Sequence, residues 1–174
     1  IVNNFNELKS AIEKTKNLAK KAFGNSDIFL EKFIRNSRHI EIQVFGYGEK
    51  SAVHFYERDC SIQRRFQKII EESPAPKVDQ PIIEKMSEMS VKFASDQKYE
   101  GAGTIEFIYD IDQKKFYFLE MNTRIQVEHP VTEEITGVDL VELQIKYALN
   151  LDSKSISQSD ISKIGNSLEC RLYA

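Results

Sequence analysis

Cysteine is scarce in this sequence: Cys60 and Cys170 are far apart and share no CxxC spacing. That excludes a disulfide framework and a zinc knuckle, and it points to a reducing compartment. Excess charge is missing as well. A net charge of -3 over 174 residues is too small for the field of a nucleic-acid or anionic-membrane binder, so local charge must carry any argument about partners. No apolar run approaches the ~18 residues that span a bilayer, and the start lacks the pattern of a signal peptide. Internal repeats and low-complexity tracts are absent. An initiating Met is lacking too, and a chain opening Ile1-Val2-Asn3-Asn4 reads as a piece of a longer protein. What remains, 41% hydrophobic and 29% charged residues, is the composition of a globular domain.

Phe5, Leu8, Ile12, Ala19 and Ala22 recur at helical spacing between an Asn4 cap and Gly24, which predicts a helix over 5–23. Ile28 to Phe33 reads as a buried strand. His39 to Phe45 alternates, with Ile40, Ile42 and Val44 on one face and His39, Glu41 and Gln43 on the other. Ala52 to Tyr56 is its expected hairpin partner across Gly46-Tyr47-Gly48. Glu57 to Lys68 reads as a polar, basic loop, followed by Pro74-Ala75-Pro76. Asp79 and Pro81 open a helix carrying Ile82, Ile83, Met86, Met89 and Phe93, and Gly101-Ala102-Gly103 closes that region. Thr104 to Tyr109 and Lys115 to Asn122 form a hairpin. A polar run from Thr123 to Glu134 leads to a helix over about 138–150, and a Ser-rich loop precedes a last strand, Leu168 to Tyr173. Strands and helices mixed without a βαβ rhythm predict the α+β class.

Symmetric pairing about the Asp112–Lys114 loop sets Tyr109 against Tyr117 and Glu106 opposite Glu120 on the same face. Opposed carboxylates repel each other. A solvated face would tolerate them, and a hard cation such as Mg²⁺ between them would require them. Strand periodicity carried past Glu120 adds Asn122, Arg124, Gln126 and Glu128 to that side. Such a row could hold a metal, then an oxyanion, then a base. The segment Gln63-Arg64-Arg65-Phe66-Gln67-Lys68 offers three cations, but Glu71 and Glu72 follow too soon for a nucleic-acid field, so small anionic substrates fit better. His39 alone on a strand is ordinarily a structural hydrogen-bonder. Cys60 has no histidine base near it in sequence and reads as inert.

The strings Glu31-Lys32-Phe33-Ile34, Arg38-His39-Ile40-Glu41-Ile42-Gln43, Glu57-Arg58-Asp59-Cys60-Ser61-Ile62-Gln63-Arg64-Arg65 and Glu120-Met121-Asn122-Thr123-Arg124-Ile125-Gln126-Val127-Glu128-His129-Pro130 carry a resemblance. Together they resemble the biotin carboxylase component of biotin-dependent carboxylases, an ATP-grasp enzyme, from about Asn4 to Ala174. The resemblance implies a partial ATP-grasp fold, with residues 1–33 the end of the lid subdomain and 34–174 most of the catalytic core. It implies a ligase in which ATP phosphorylates bicarbonate to carboxyphosphate, and the released CO₂ passes to N1′ of biotin on a separate carrier domain.

By the same resemblance, Glu31, Lys32 and Ile34 would sit at the adenine-binding hinge, while His39 and Gln63 would approach ribose and phosphates. Glu106, Glu120 and Asn122 match positions for Mg²⁺ or Mn²⁺, two ions being expected. Lys68, Arg124, Gln126 and Val127 match bicarbonate-binding positions, Glu128 the general base, and Arg171 an arginine facing carboxyphosphate and biotin. Phe66 departs from the pattern, since many relatives place a nucleotide-contacting histidine there. An aromatic can pack on ribose but cannot hydrogen-bond it. The family's N-terminal domain, glycine-rich phosphate loop and two ATP-binding lysines would precede Ile1, so these residues alone are expected to be inactive.

The implied partners are bicarbonate, the carrier domain, a carboxyltransferase domain or subunit and further copies of the longer protein, with neither nucleic acid nor membrane. The implied location is cytoplasmic, or mitochondrial for a eukaryotic acyl-CoA or pyruvate carboxylase. Another ATP-grasp carboxylate ligase would share the metal acids without the string Arg124 to Glu128. A catalytically dead scaffold would not be expected to keep Glu106, Glu120, Arg124 and Glu128. The final acceptor, whether acyl-CoA, pyruvate or urea, is not written in this segment.

Overall fold

The computed structural model describes residues 1–151 and 155–173, so part of the Ser-rich loop and Ala174 lie outside the described residues. The chain divides into two compact units, Ile1–Arg35 and Asn36–Ala174. The first is built on α1 (Phe5–Phe23), where the Asn4 side-chain oxygen accepts from the Glu7 amide at 3.1 Å and Gly24, at φ 73, ends the helix. The strand expected over 28–33 does not form. Phe29 is 81% exposed there and Leu30 70%, because an apolar run becomes a strand only beside another, and this unit contains none.

The second unit is one antiparallel sheet with helices. Its strands are β1 (Ser37–Tyr47), β2 (Ala52–Arg64), β3 (Gln67–Ser73), β4 (Glu100–Asp110), β5 (Lys115–Asn122) and β6 (Ser167–Cys170), in the order β5-β4-β1-β2-β3-β6. The helices are α2 (Gln80–Asp96), α3 (His129–Thr136) and α4 (Leu140–Ala148). The α+β expectation holds. No helix among the described residues is long and apolar enough to cross a membrane.

Central β1 is buried on both faces from Ile40 onward. Its even residues, Ile40, Ile42 and Val44, share a core with Ile83 and Met86 of α2 and with Ile105 and Phe107 of β4. On the odd side Phe45 and Tyr47 join Val53, Phe55, Ala102 and Leu140 in a second core. Glu41 and Gln43 also lie on that side and are fully buried, although both are polar. The turn after β1 comes later than expected, so Gly46 stays in the strand, where a Cβ would lie 2.0 Å from the Tyr99 carbonyl oxygen. Gly101 and Gly103 likewise lie inside β4.

Two extra residues in the ladders decide which side chains face which. Ile42 pairs with Glu57 and Val44 with His54, so Gln43 faces both Phe55 and Tyr56, and Tyr56 adopts φ 66. This bulge reverses the alternation of β2 and brings Arg58, not Glu57, opposite Glu41. In the other hairpin Tyr109 pairs with Phe116, not Tyr117, and an extra residue at Leu119 then restores Glu106 opposite Glu120.

The stretch from Glu57 is not a loop. β2 continues through it to Arg64 and turns at Arg65 and Phe66, φ 52 and 64, into β3. Beyond Asn122 the strand expected from periodicity stops. Residues 123–128 turn into α3, and α4 starts at Leu140.

Candidate functional site

A cleft of about 360 Å³ opens on the odd side of β1. It is lined by His39 from β1, Gln63 and Lys68 from the β2–β3 hairpin, and Glu106, Glu120 and Asn122 from the β4–β5 hairpin. Arg124, Gln126, Val127 and Glu128 reach it from the turn before α3, and Arg171 from the end of β6. Every candidate read from the sequence within the second unit therefore lines one cleft. Glu31, Lys32 and Ile34 belong to the first unit, in the irregular chain after α1. A larger hollow of about 600 Å³ lies elsewhere, between α2 and β2, and contains none of these residues.

Lys68 is the hub. Its Nζ donates to Glu41 Oε2 at 2.6 Å, Glu106 Oε1 at 3.0 Å and Glu128 Oε1 at 2.5 Å. Burial would lower the Lys68 pKa, but the surrounding carboxylates hold it above the ordinary lysine value, so the ammonium stays charged. The basic stretch predicted from sequence thus has this cation consumed internally. Glu128 has both oxygens engaged, since Oε2 accepts from Arg171 at 2.9 Å. Arg171 NH2 also lies 2.6 Å from the fully buried Glu71.

Glu106 is the most heavily coordinated acid. Its Oε1 accepts from Lys68, from Asn122 Nδ2 at 2.9 Å and from Gln126 Nε2 at 2.9 Å, while His39 Nε2 lies 2.9 Å from Oε2. Burial pushes its pKa up, but His39, Lys68 and Gln126 together hold it down to about 2. His39 turns its other ring nitrogen to Gln63 at 2.9 Å. Glu120 is exposed at the cleft edge, 3.5 Å from Asn122 Nδ2.

A divalent cation fits this donor set. Glu106 and Glu120 could supply carboxylate oxygens, and Asn122, which now donates to Glu106, could offer its oxygen if the amide were turned over. His39, Glu41 and Glu106 also hold ligand atoms within 4.8 Å of one another, but Lys68 fills the space beside those acids.

The residues the sequence reading missed stand behind the cleft. Glu41 and Arg58 are both fully buried, with Arg58 Nε 2.6 Å from Glu41 Oε1. Burial acts to raise the Glu41 pKa, and Arg58 and Lys68 reverse that to hold it low. Glu41 was visible as a polar residue on the His39 face. The Arg58 contact depends on the β2 bulge, which leaves no sequence signature. Cys60 is buried, and burial raises its thiol pKa above the ordinary range, which disfavours the thiolate a nucleophile needs. Phe66 lines the cleft mouth at 98% exposure. Arg124 reaches back from the cleft lining to the Ile125 carbonyl at 3.1 Å.

Residues 1–155 match the family model of the carbamoyl-phosphate synthase L chain, ATP-binding domain. The chain belongs to this family. Relatives of this ATP-binding domain include Biotin carboxylase 1 of Bacillus subtilis (strain 168), 50% identical over 168 residues that cover 97% of this chain and 37% of that protein. Among solved structures, the biotin carboxylase domain of a thermophilic 2-oxoglutarate carboxylase bound to bicarbonate superposes with TM-score 0.88 at 48% identity, over 97% of this chain and 38% of that one. The corresponding domain dimer from Hydrogenobacter thermophilus, in complex with MgADP, ADP and bicarbonate, gives 0.84 at 48% identity over 97% and 37%. The sheet and its helices are therefore the ATP-grasp fold in part, and the chain spans just over a third of the length of these relatives.

Proposed function

We propose that this chain is the metal- and bicarbonate-handling part of a biotin carboxylase: an ATP-dependent ligase that carboxylates N1′ of carrier-linked biotin through carboxyphosphate. The observation that carries this reading is the convergence of His39, Gln63, Lys68, Glu106, Glu120, Asn122, Arg124, Gln126, Val127, Glu128 and Arg171 on one cleft. Similarity to domains solved with bicarbonate and MgADP supports it. Residues 1–33 are the end of the lid subdomain and 34–174 most of the core, with Glu31, Lys32 and Ile34 at the adenine-binding hinge.

In this reading Glu106, Glu120 and Asn122 hold Mg²⁺ or Mn²⁺, two ions in all, which when bound would offset phosphate charge. His39 and Gln63 approach the nucleotide. Lys68, Arg124, Gln126 and the Val127 backbone receive bicarbonate. Glu128, fixed by Lys68 and Arg171, gives up part of one of those contacts to take the bicarbonate proton, and the guanidinium of Arg171 then steadies negative charge on carboxyphosphate and biotin. The carrier and carboxyltransferase are further domains or subunits, the longer protein self-associates, and it works in the cytoplasm or, in a eukaryotic acyl-CoA or pyruvate carboxylase, the mitochondrion. The chain spans just over a third of the relatives' length, so the activity proposed is that of the longer protein. In the full-length protein, Glu128→Gln is expected to lower bicarbonate-dependent ADP release by about 10²–10⁴-fold while MgADP still binds. Wild-type rates in that variant would contradict the assignment.

A further inference from the structure

We propose that Arg58 is a positioning residue for the bicarbonate side of the cleft, acting from behind through Gln126 and Glu41. The inference rests on the function proposed above. Arg58 does not line the cleft and has no exposure, yet its guanidinium is held by three secondary-structure elements and a turn. Nε donates to Glu41 at 2.6 Å and NH1 to Gln43 at 2.7 Å, both on β1, and NH1 also reaches Thr132 of α3 at 2.9 Å. NH2 donates to Thr104 of β4 at 3.1 Å and to Gln126 Oε1 in the turn at 3.4 Å. Five N–H donors in a rigid fork thus meet five acceptors, which the three donors of a lysine on one nitrogen cannot reproduce.

Two of the five acceptors transmit that geometry to the cleft. Gln126 accepts from Arg58 on its oxygen, and this fixes which way its amide points, so that Nε2 faces Glu106 at 2.9 Å. Glu41 divides its oxygens, Oε1 to Arg58 and Oε2 to Lys68 at 2.6 Å. One buried guanidinium therefore sets the orientation of an amide and the place of an ammonium, both on the bicarbonate side. The Thr132 contact adds a third line, because α3 begins at His129, directly after Glu128.

The test is Arg58→Lys in the full-length protein, which keeps the charge beside Glu41 and loses the fork. The bicarbonate KM is expected to rise about tenfold, or kcat to fall by that factor, with MgADP affinity within about twofold of wild type. Unchanged bicarbonate kinetics, or equal losses for bicarbonate and MgADP, would overturn the role. If Arg58→Lys does not fold, Thr132→Val, which removes one anchor without changing volume, must give the same bicarbonate-selective loss at about threefold. An unchanged KM there overturns it as well. A wild-type protein without bicarbonate-dependent ATP cleavage overturns the functional reading together with this role. An active wild type with an indifferent Arg58→Lys overturns this role alone.

Discussion

Two glutamates on neighbouring rungs of the β1–β2 ladder meet opposite fates. Glu41 pairs with Arg58 and Glu57 pairs with Ile42, and both acids are buried. Burial raises the Glu41 pKa less than Arg58 and Lys68 lower it, so Glu41 is held below the ordinary carboxylate value. Burial dominates at Glu57, whose pKa is raised, since its nearest cation, Lys163, stands 3.7 Å away and its Oε2 has no hydrogen-bond partner among the described residues. The difference is one of facing. At these rungs one side of β1 is an apolar core against α2, and the other, beyond the second core around Phe45 and Tyr47, is a network of paired charge leading to the cleft. A buried acid is stable where it finds a guanidinium and an ammonium, and costly where it finds isoleucine.

Breaking the charged side should have the largest effect. Arg58→Met leaves Glu41 with half its compensation and should destabilise the full-length protein by about 3–5 kcal/mol, read as a fall in thermal midpoint, with bicarbonate-dependent turnover lost as well. On the aliphatic side, Met86→Ala opens a cavity in a fully buried position and should cost about 2–5 kcal/mol. Its folded protein should keep the wild-type bicarbonate KM, and a raised KM would show that the two sides are coupled.

Glu57→Gln sharpens the comparison in the opposite direction. A raised carboxyl pKa means that the protonated form fits the fold, so stability from this group is present at low pH and lost as pH rises through the folded value. The variant should therefore be more stable than wild type at pH 8, and the advantage should vanish near pH 4. A variant less stable at pH 8 would mean that Lys163 outweighs burial.

The sequence made much of this legible where side-chain chemistry repeats at a fixed period. Helix α1 and its caps, α2 from Asp79, and the opposed pair Glu106 and Glu120 follow from spacing alone. The pair was reached through a symmetric pairing that is off by one near the turn and corrected by the extra residue at Leu119. Periodicity carried past Asn122 placed Gln126 and Glu128 beside Glu106 for the wrong reason, since a turn and not a strand brings them there. The run 28–33 and the polar stretch from Glu57 failed in complementary ways. Strand formation depends on what lies alongside, and neither an apolar run nor a charged one reveals its neighbours. Arg58 was hidden because a one-residue bulge at Tyr56 decides whether it or Glu57 turns toward Glu41.

The most direct measurement is bicarbonate-dependent ADP release by the full-length protein, wild type against Lys68→Gln, with MgADP binding measured alongside. The charged face, centred on the Lys68 contacts to Glu41, Glu106 and Glu128, predicts at least about a hundredfold loss of release with MgADP still bound. Wild-type release from Lys68→Gln would contradict the claim that this face does the chemistry.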